Sequence, residues 1–158
     1  MGKKILNLRE IQLAELTILK KVIIFCDKNN ITYFLYGGTA LGAVRHKGFI
    51  PWDDDIDIIM PRPDYNKFIK LIKDGYTISQ DLIVEAPELM HNPRYLVCKV
   101  YDRNISVEAQ DDIDTGFLWI DIMQLDGLPN KPNNYLRQIT FLRKIFLIKR
   151  RTIWANII

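Results

Sequence analysis

Apolar residues recur at helical spacing near the start of the chain, with Leu8, Ile11, Ile18, Leu19, Val22 and Ile23 on one stripe and Glu15 standing where an apolar residue is due. The spacing predicts one amphipathic helix over Ile5–Asn29. Ile31–Tyr36 is β-branched and aromatic and runs into Gly37-Gly38, which predicts a short buried strand ending in a turn. A helix over Thr39–Arg45, a loop over His46–Pro51 and a strand over Asp54–Met60 follow, then a helix over Pro61–Lys73 whose inward face holds Tyr65, Phe68, Ile69 and Ile72. Beyond Gly75 the pattern turns strand-like, with pieces at Tyr76–Ser79, Tyr95–Tyr101, Ile105–Ala109 and Phe117–Met123. Leu125–Asn130 reads as a boundary loop and Asn134–Ile158 as helix. The fold class is therefore α+β, a mixed sheet with flanking helices, divided into a core over 1–128 and a basic helical segment over 129–158.

The acidic positions add chemistry to this pattern. Pro51-Trp52-Asp53-Asp54-Asp55 leads into Ile56-Asp57-Ile58, where Asp55 and Asp57 alternate with isoleucines. Side chains two apart on a strand share a face, so both carboxylates aim one way while the isoleucines are buried. Converging carboxylates repel unless a cation joins them, and Mg²⁺ takes one or two protein carboxylates and completes its shell with phosphate oxygens and water. Mn²⁺ fits the same donors. An acidic run is more often a solvated loop, but this one enters an apolar strand. Asp121 in Leu118–Met123 is a lone acid in a second apolar strand, either a third ligand or a costly core residue. Asp126 before Gly127 reads as a turn former.

Gly37-Gly38-Thr39 at a helix start leaves backbone N–H groups at a positive dipole end, where phosphate binds. Thr39 can cap that helix, contact a phosphate oxygen, or both. Arg45 is the preferred cation for a diphosphate because of its forked guanidinium, with His46 and Lys47 read equally well as surface. Lys99, a charge on an apolar strand, either reaches the same cleft or snorkels to solvent.

At 158 residues, 48% apolar and 26% charged, the chain suits a globular core. The net charge of +3 conceals a segregation: seven cations and no acid follow Asp126, leaving −4 for the rest. Cys26 and Cys98 lie in apolar surroundings without metal spacing and are expected to be reduced core thiols. No secretory signal or membrane-spanning run is apparent, so a cytoplasmic protein is expected.

The stretch from Tyr36 to Ile58, with Trp119-Ile120-Asp121-Ile122 and Leu125-Asp126-Gly127, resembles the LicD family of phosphocholine transferases, which includes fukutin-related proteins and belongs to the nucleotidyltransferase superfamily. The resemblance implies Mg²⁺-dependent transfer of a phospho-alcohol, typically phosphocholine from CDP-choline, to a hydroxyl of a cell-surface glycan such as lipopolysaccharide or teichoic acid or of a lipid-linked precursor, with Asp55, Asp57 and Asp121 as metal ligands and catalytic residues. Met123-Gln124 departs from the aromatic-proline pair more usual there. Relatives continue into a helical half that helps form the pocket, and the chain is expected to lack much of it. Two other readings stand beside this one: a nucleotidyltransferase releasing pyrophosphate from an NTP, and a non-catalytic module whose basic tail lies on an anionic membrane surface. Nucleic acid is not an expected partner, since the cations share a helix with apolar residues and no stacking platform is apparent.

Overall fold

The structure is a computed structural model that describes residues 6–91, 96–106 and 116–127. The chain divides into two compact units, Met1–Leu125 and Asp126–Ile158, and only Asp126 and Gly127 of the second are among the described residues. The helix expected over Asn134–Ile158 lies outside them.

Helix α1 spans Leu8–Lys28 and opens with a capping box: the Asn7 side chain accepts from the Glu10 N–H, and the Glu10 carboxylate accepts from the Asn7 N–H. Two orphan donors of the first turn are thus satisfied, a device that contributes about 1 kcal/mol. Its buried stripe is Gln12, Glu15, Ile18, Leu19, Val22, Phe25 and Cys26. The N-terminal end of that stripe is polar.

Strand β1 is only Phe34–Leu35, shorter than the expected Ile31–Tyr36, and is not a buried strand: Phe34 and Tyr36 are exposed. The reason is topological. In the five-stranded sheet, ordered β1-β2-β5-β4-β3, β1 is an edge that pairs antiparallel with β2 (Asp57–Pro61) alone. Helix α2 spans Gly37–His46 and α3 spans Arg62–Lys73, the latter with Pro63 in its first turn, where a missing N–H costs nothing. Strand β2 starts at Asp57, later than the expected Asp54, so Asp55 belongs to the turn that feeds the strand.

The later strands differ more from the sequence expectation. Tyr76–Ser79 is not a strand; β3 is Leu82–Glu85, and the Asp81 carboxylate just before it is engaged by Lys21 and by the Ser79 hydroxyl at 2.6 Å. The strands expected at Tyr95–Tyr101 and Ile105–Ala109 are one strand, β4, over Cys98–Ser106, their outer ends lying outside the described residues. The Asp102 carboxylate accepts the Asn104 N–H at 2.9 Å, and the register with β5 (Phe117–Leu125) shifts between Asp102 and Ser106. A local irregularity thus interrupts the pairing without ending the strand.

Alternation along the strands assigns two faces. Ile58, Met60, Cys98, Val100, Leu118, Ile120 and Ile122 are buried against the core that includes Val22, Phe25 and Phe68 of α1 and α3. Each such side chain contributes roughly 1.5–3 kcal/mol on burial. Asp57, Lys99, Trp119 and Asp121 occupy the intervening positions and are half-buried. They face away from that core. Both cysteines are buried free thiols, with burial pushing Cys26 up to about 12 and Cys98 up as well.

Candidate active site

Strand pairing brings the acids together. β2 and β5 run parallel with Asp57 opposite Asp121, and β4 runs antiparallel to β5 with Lys99 opposite Asp121. Three charged side chains therefore stand side by side on one face of adjacent strands. The Asp121 N–H donates to the Ile56 carbonyl at 3.0 Å, which extends the ladder past Asp57 and fixes the approach of Asp55.

The backbone of Asp57 is held from both directions. Its N–H donates to the Thr39 hydroxyl at 2.8 Å, and its carbonyl accepts the Tyr36 N–H at 3.0 Å. The N-cap of α2 is Tyr36, with no side-chain cap bond; Thr39, in the first turn, spends its acceptor on Asp57 instead of capping the helix. Gly37 adopts φ +55°, and a Cβ there would sit 3.1 Å from Asp57 Oδ2; a Cβ on Gly38 would sit 2.5 Å from Asp53 Oδ2. The glycines are needed because the carboxylates of Asp57, at the start of β2, and Asp53, in the acidic turn, press directly on the helix start.

Arg45 is not brought to this place. It lies in the last turn of α2, exposed, about 12 Å along the helix from Gly37 at 1.5 Å per residue. Two other cations stand closer. A cavity of about 330 Å³ is lined by Arg9, Lys47, Gly38, Thr39, Asp53 and Asp55 together with apolar side chains of α1. Arg9, on the first turn of a helix without other sequence cues, carried no signal that could have singled it out. Trp52 is exposed, whereas Phe49 lines the cavity.

The electrostatics follow from crowding. Burial, then repulsion from Asp55, Asp121 and Asp53, pushes Asp57 up to about 6, with Lys99 acting in the other direction. Asp55 is raised by burial and by Asp53 and Asp54. Burial raises Asp121 too, partly offset by Lys99, whose Nζ lies 3.3 Å from Oδ1 and 3.9 Å from the centre of the Trp119 ring. The Trp119 side chain acts on Asp121 in the same direction as Lys99, so both neighbours on the open face favour its ionised form.

Among the described residues no three His, Cys, Asp or Glu side chains already stand close enough to enclose one metal ion. The donor set still suits a hard divalent cation: its donors are all carboxylate oxygens, and several are destabilised by mutual repulsion. Asp57, Asp121 and Asp55 are the residues that could hold it.

Paired acids on an open sheet face, beside a glycine turn that starts a helix, are the arrangement of a nucleotidyltransferase-type domain. Residues 30–91 match the LicD/FKTN/FKRP nucleotidyltransferase domain, and the chain belongs to the LicD family. It is 38% identical over 136 residues to the lipopolysaccharide cholinephosphotransferase LicD of Haemophilus influenzae, an alignment covering 82% of this chain and 48% of that protein. It is 31% identical over 132 residues to an uncharacterised protein of Rickettsia prowazekii, covering 81% of this chain and 42% of the other. The chain spans about half the length of these relatives or less. Among the described residues no helix is long and apolar enough to cross a membrane.

Proposed function

We propose that this chain carries the donor-binding and cation-binding part of a LicD-type phosphotransferase, which moves phosphocholine or a related phospho-alcohol from a CDP-linked donor to a hydroxyl of lipopolysaccharide or a similar glycan. The observation that carries the reading is the register match of Asp57 with Asp121 beside the Gly37-Gly38 turn. The name of the Haemophilus relative supports the choline-phosphate and lipopolysaccharide parts.

Asp55, Asp57 and Asp121 would hold Mg²⁺ or Mn²⁺; bound there, the ion supplies Lewis-acid stabilisation of charge on the phosphoryl oxygens and leaving nucleotide. The remaining work falls to the chain. The helix start at Gly37-Gly38 presents N–H groups to the diphosphate, and the Thr39 hydroxyl, its acceptor occupied by Asp57, keeps a proton to donate to a phosphate oxygen. Lys47 and Arg9 add positive charge at the cavity. Asp121, raised by burial and oriented by Lys99, takes the acceptor hydroxyl's proton as its oxygen attacks phosphorus and CMP leaves.

The test is CMP release from CDP-choline by the purified chain with Mg²⁺, with and without lipopolysaccharide. Acceptor-dependent CMP formation abolished by EDTA and by Asp57→Asn supports the proposal. Pyrophosphate release from CTP, with CDP-choline left intact, would replace it with nucleotidyl transfer.

A further inference from the structure

The acidic residues before β2 sit on a stretch of chain with little secondary structure of its own. After α2 ends at His46, residues 47–56 form loop and turn, and β2 begins only at Asp57. A turn at Ile50–Asp53, closed by the Asp53 N–H donating to the Ile50 carbonyl at 3.0 Å, leads into Asp54 and Asp55. This turn is anchored from α1.

Gln12 makes the contact. It is 3% exposed on the buried stripe of α1, and its amide nitrogen donates to the Asp53 carbonyl at 2.8 Å and to the Ile50 carbonyl at 3.4 Å. Its amide oxygen accepts from Arg9 Nη1 at 3.1 Å. The three bonds fix which end of the amide is which, because the opposite orientation would set oxygen against two acceptors and nitrogen against a donor. Packing alone calls for an apolar residue here, since Ile18, Leu19, Val22, Phe25 and Cys26 continue the stripe. Burying an amide is costly, and its partners offset the cost only with the turn in this place.

What the turn presents depends on that placement. Asp53 Oδ2 lies against the start of α2, 2.5 Å from where a Gly38 Cβ would stand, and Arg9, Asp53 and Asp55 line one cavity with Gly38, Thr39 and Lys47. Resting on the donor-binding reading of the Gly37-Gly38 turn, we propose that Gln12 is a positioning residue for the donor, whose amide holds the acidic turn and the Arg9 guanidinium in place beside the start of α2. It touches no substrate. Without it the turn loses its anchor and the guanidinium its acceptor, so donor binding weakens in a protein that is still folded.

The test compares Gln12→Met, which keeps the length of the side chain and removes all three bonds, with Arg9→Met, which removes one. Val22→Ala, in the core of the same helix, lowers stability without reaching the turn. CDP-choline affinity is measured by calorimetry and amide hydrogen exchange over residues 50–57 by mass spectrometry, under conditions where urea curves show each protein folded. Gln12→Met is expected to bind CDP-choline at least tenfold more weakly and to exchange faster over 50–57. Arg9→Met is expected to bind several-fold more weakly with exchange unchanged, and the double variant to lose less than the two losses combined, since one residue acts partly through the other. Val22→Ala should lower the urea midpoint and leave affinity and exchange over 50–57 as in the parent. Parent-like affinity in Gln12→Met, whether or not exchange quickens, would reduce the amide to a structural tie and overturn the proposal. Should Gln12→Met not fold, parent-like affinity in Arg9→Met, an exposed residue, would overturn it instead. Absence of CDP-choline binding by the parent chain would remove the donor reading and this inference with it.

Discussion

The hydroxyl of Thr39 accepts the backbone N–H of Asp57 at 2.8 Å, so the first turn of α2 and the first residue of β2 are held as one unit. This bond couples the phosphate-facing and acid-bearing halves of the site. Thr39→Val keeps the shape and leaves the Asp57 N–H without its acceptor, a loss of about 1–3 kcal/mol. Thr39→Ser restores the acceptor and most of the stability. Urea unfolding of the three proteins measures the difference, and the valine variant is expected to bind Mn²⁺ more weakly because Asp57 is no longer fixed.

Gly38 separates stability from function. Its backbone is helical, so alanine gains up to about 1 kcal/mol of helix propensity. The new Cβ would sit 2.5 Å from Asp53 Oδ2, and the carboxylate must swing away from the helix start. Gly38→Ala is therefore expected to fold with a melting temperature near that of the parent while its affinity for CDP-choline, measured by calorimetry, falls at least tenfold. Equal affinity would mean that the helix start does not face the donor.

Gly42 makes the opposite case. A Cβ there would meet the Gly48 carbonyl oxygen at 2.6 Å and the Ile50 nitrogen at 2.9 Å, both backbone atoms that cannot rotate aside. Gly42→Ala must open the contact between α2 and the loop leading to the acidic turn, and overpacking of this kind costs about 1–3 kcal/mol. Lower urea midpoints and lower Mn²⁺ affinity are expected together, since the same loop carries both.

How much of this was legible in the sequence depended on how local the cause was. Asp55, Asp57 and Asp121 stood out because a carboxylate in an apolar strand conflicts with its surroundings, and the Gly37-Gly38 turn because few other residues fit such a place. The β5 register that sets Asp121 opposite Asp57 depends on a parallel pairing across more than 60 positions, which alternation within one strand does not encode. β3 has a weak sequence signature because Leu82–Glu85 is short and bounded by acids, and β4 looks divided because Asp102 and Asn104 interrupt its apolar run, where the Asp102 carboxylate and the Asn104 backbone N–H serve an irregularity inside a continuous strand. Arg45 was preferred over Lys47 for its chemistry, yet helix rise carries Arg45 away from the turn while Lys47 lies on the cavity. Glu15 was visible as a break in the apolar stripe; its burial required the packing of α1.

Stability without cations should depend on pH in an unusual direction. Asp57 is raised from 3.8 to about 6 and Glu15 from 4.5 to about 9, both chiefly by burial, so across this range the folded chain binds more protons than the unfolded one. Stability then falls as pH rises, from about pH 4 through about pH 9. Asp81, lowered from 3.8 to about 2 by Lys21 and Ser79, has the opposite sign: its contribution is present above about pH 4 and lost as pH falls toward 2. In EDTA the urea midpoint should peak near pH 4–5. Saturating Mn²⁺ favours the ionised carboxylates and should flatten or reverse the fall at higher pH.

Lys99 tests the assignment of the proton acceptor. Its ammonium lies 3.3 Å from Asp121 Oδ1 and over the Trp119 ring, and it is the charge that moderates the rise imposed on Asp121 by burial. Lys99→Met removes that charge while keeping much of the side chain's length. Asp121 is then harder to ionise, so the acid limb of CMP release against pH should move to higher pH. Activity lost at neutral pH would be recovered in part at higher pH. A variant that only disturbed packing would instead lose activity uniformly, with the acid limb where it is in the parent, and Asp121 would then have to be relieved of its role as proton acceptor.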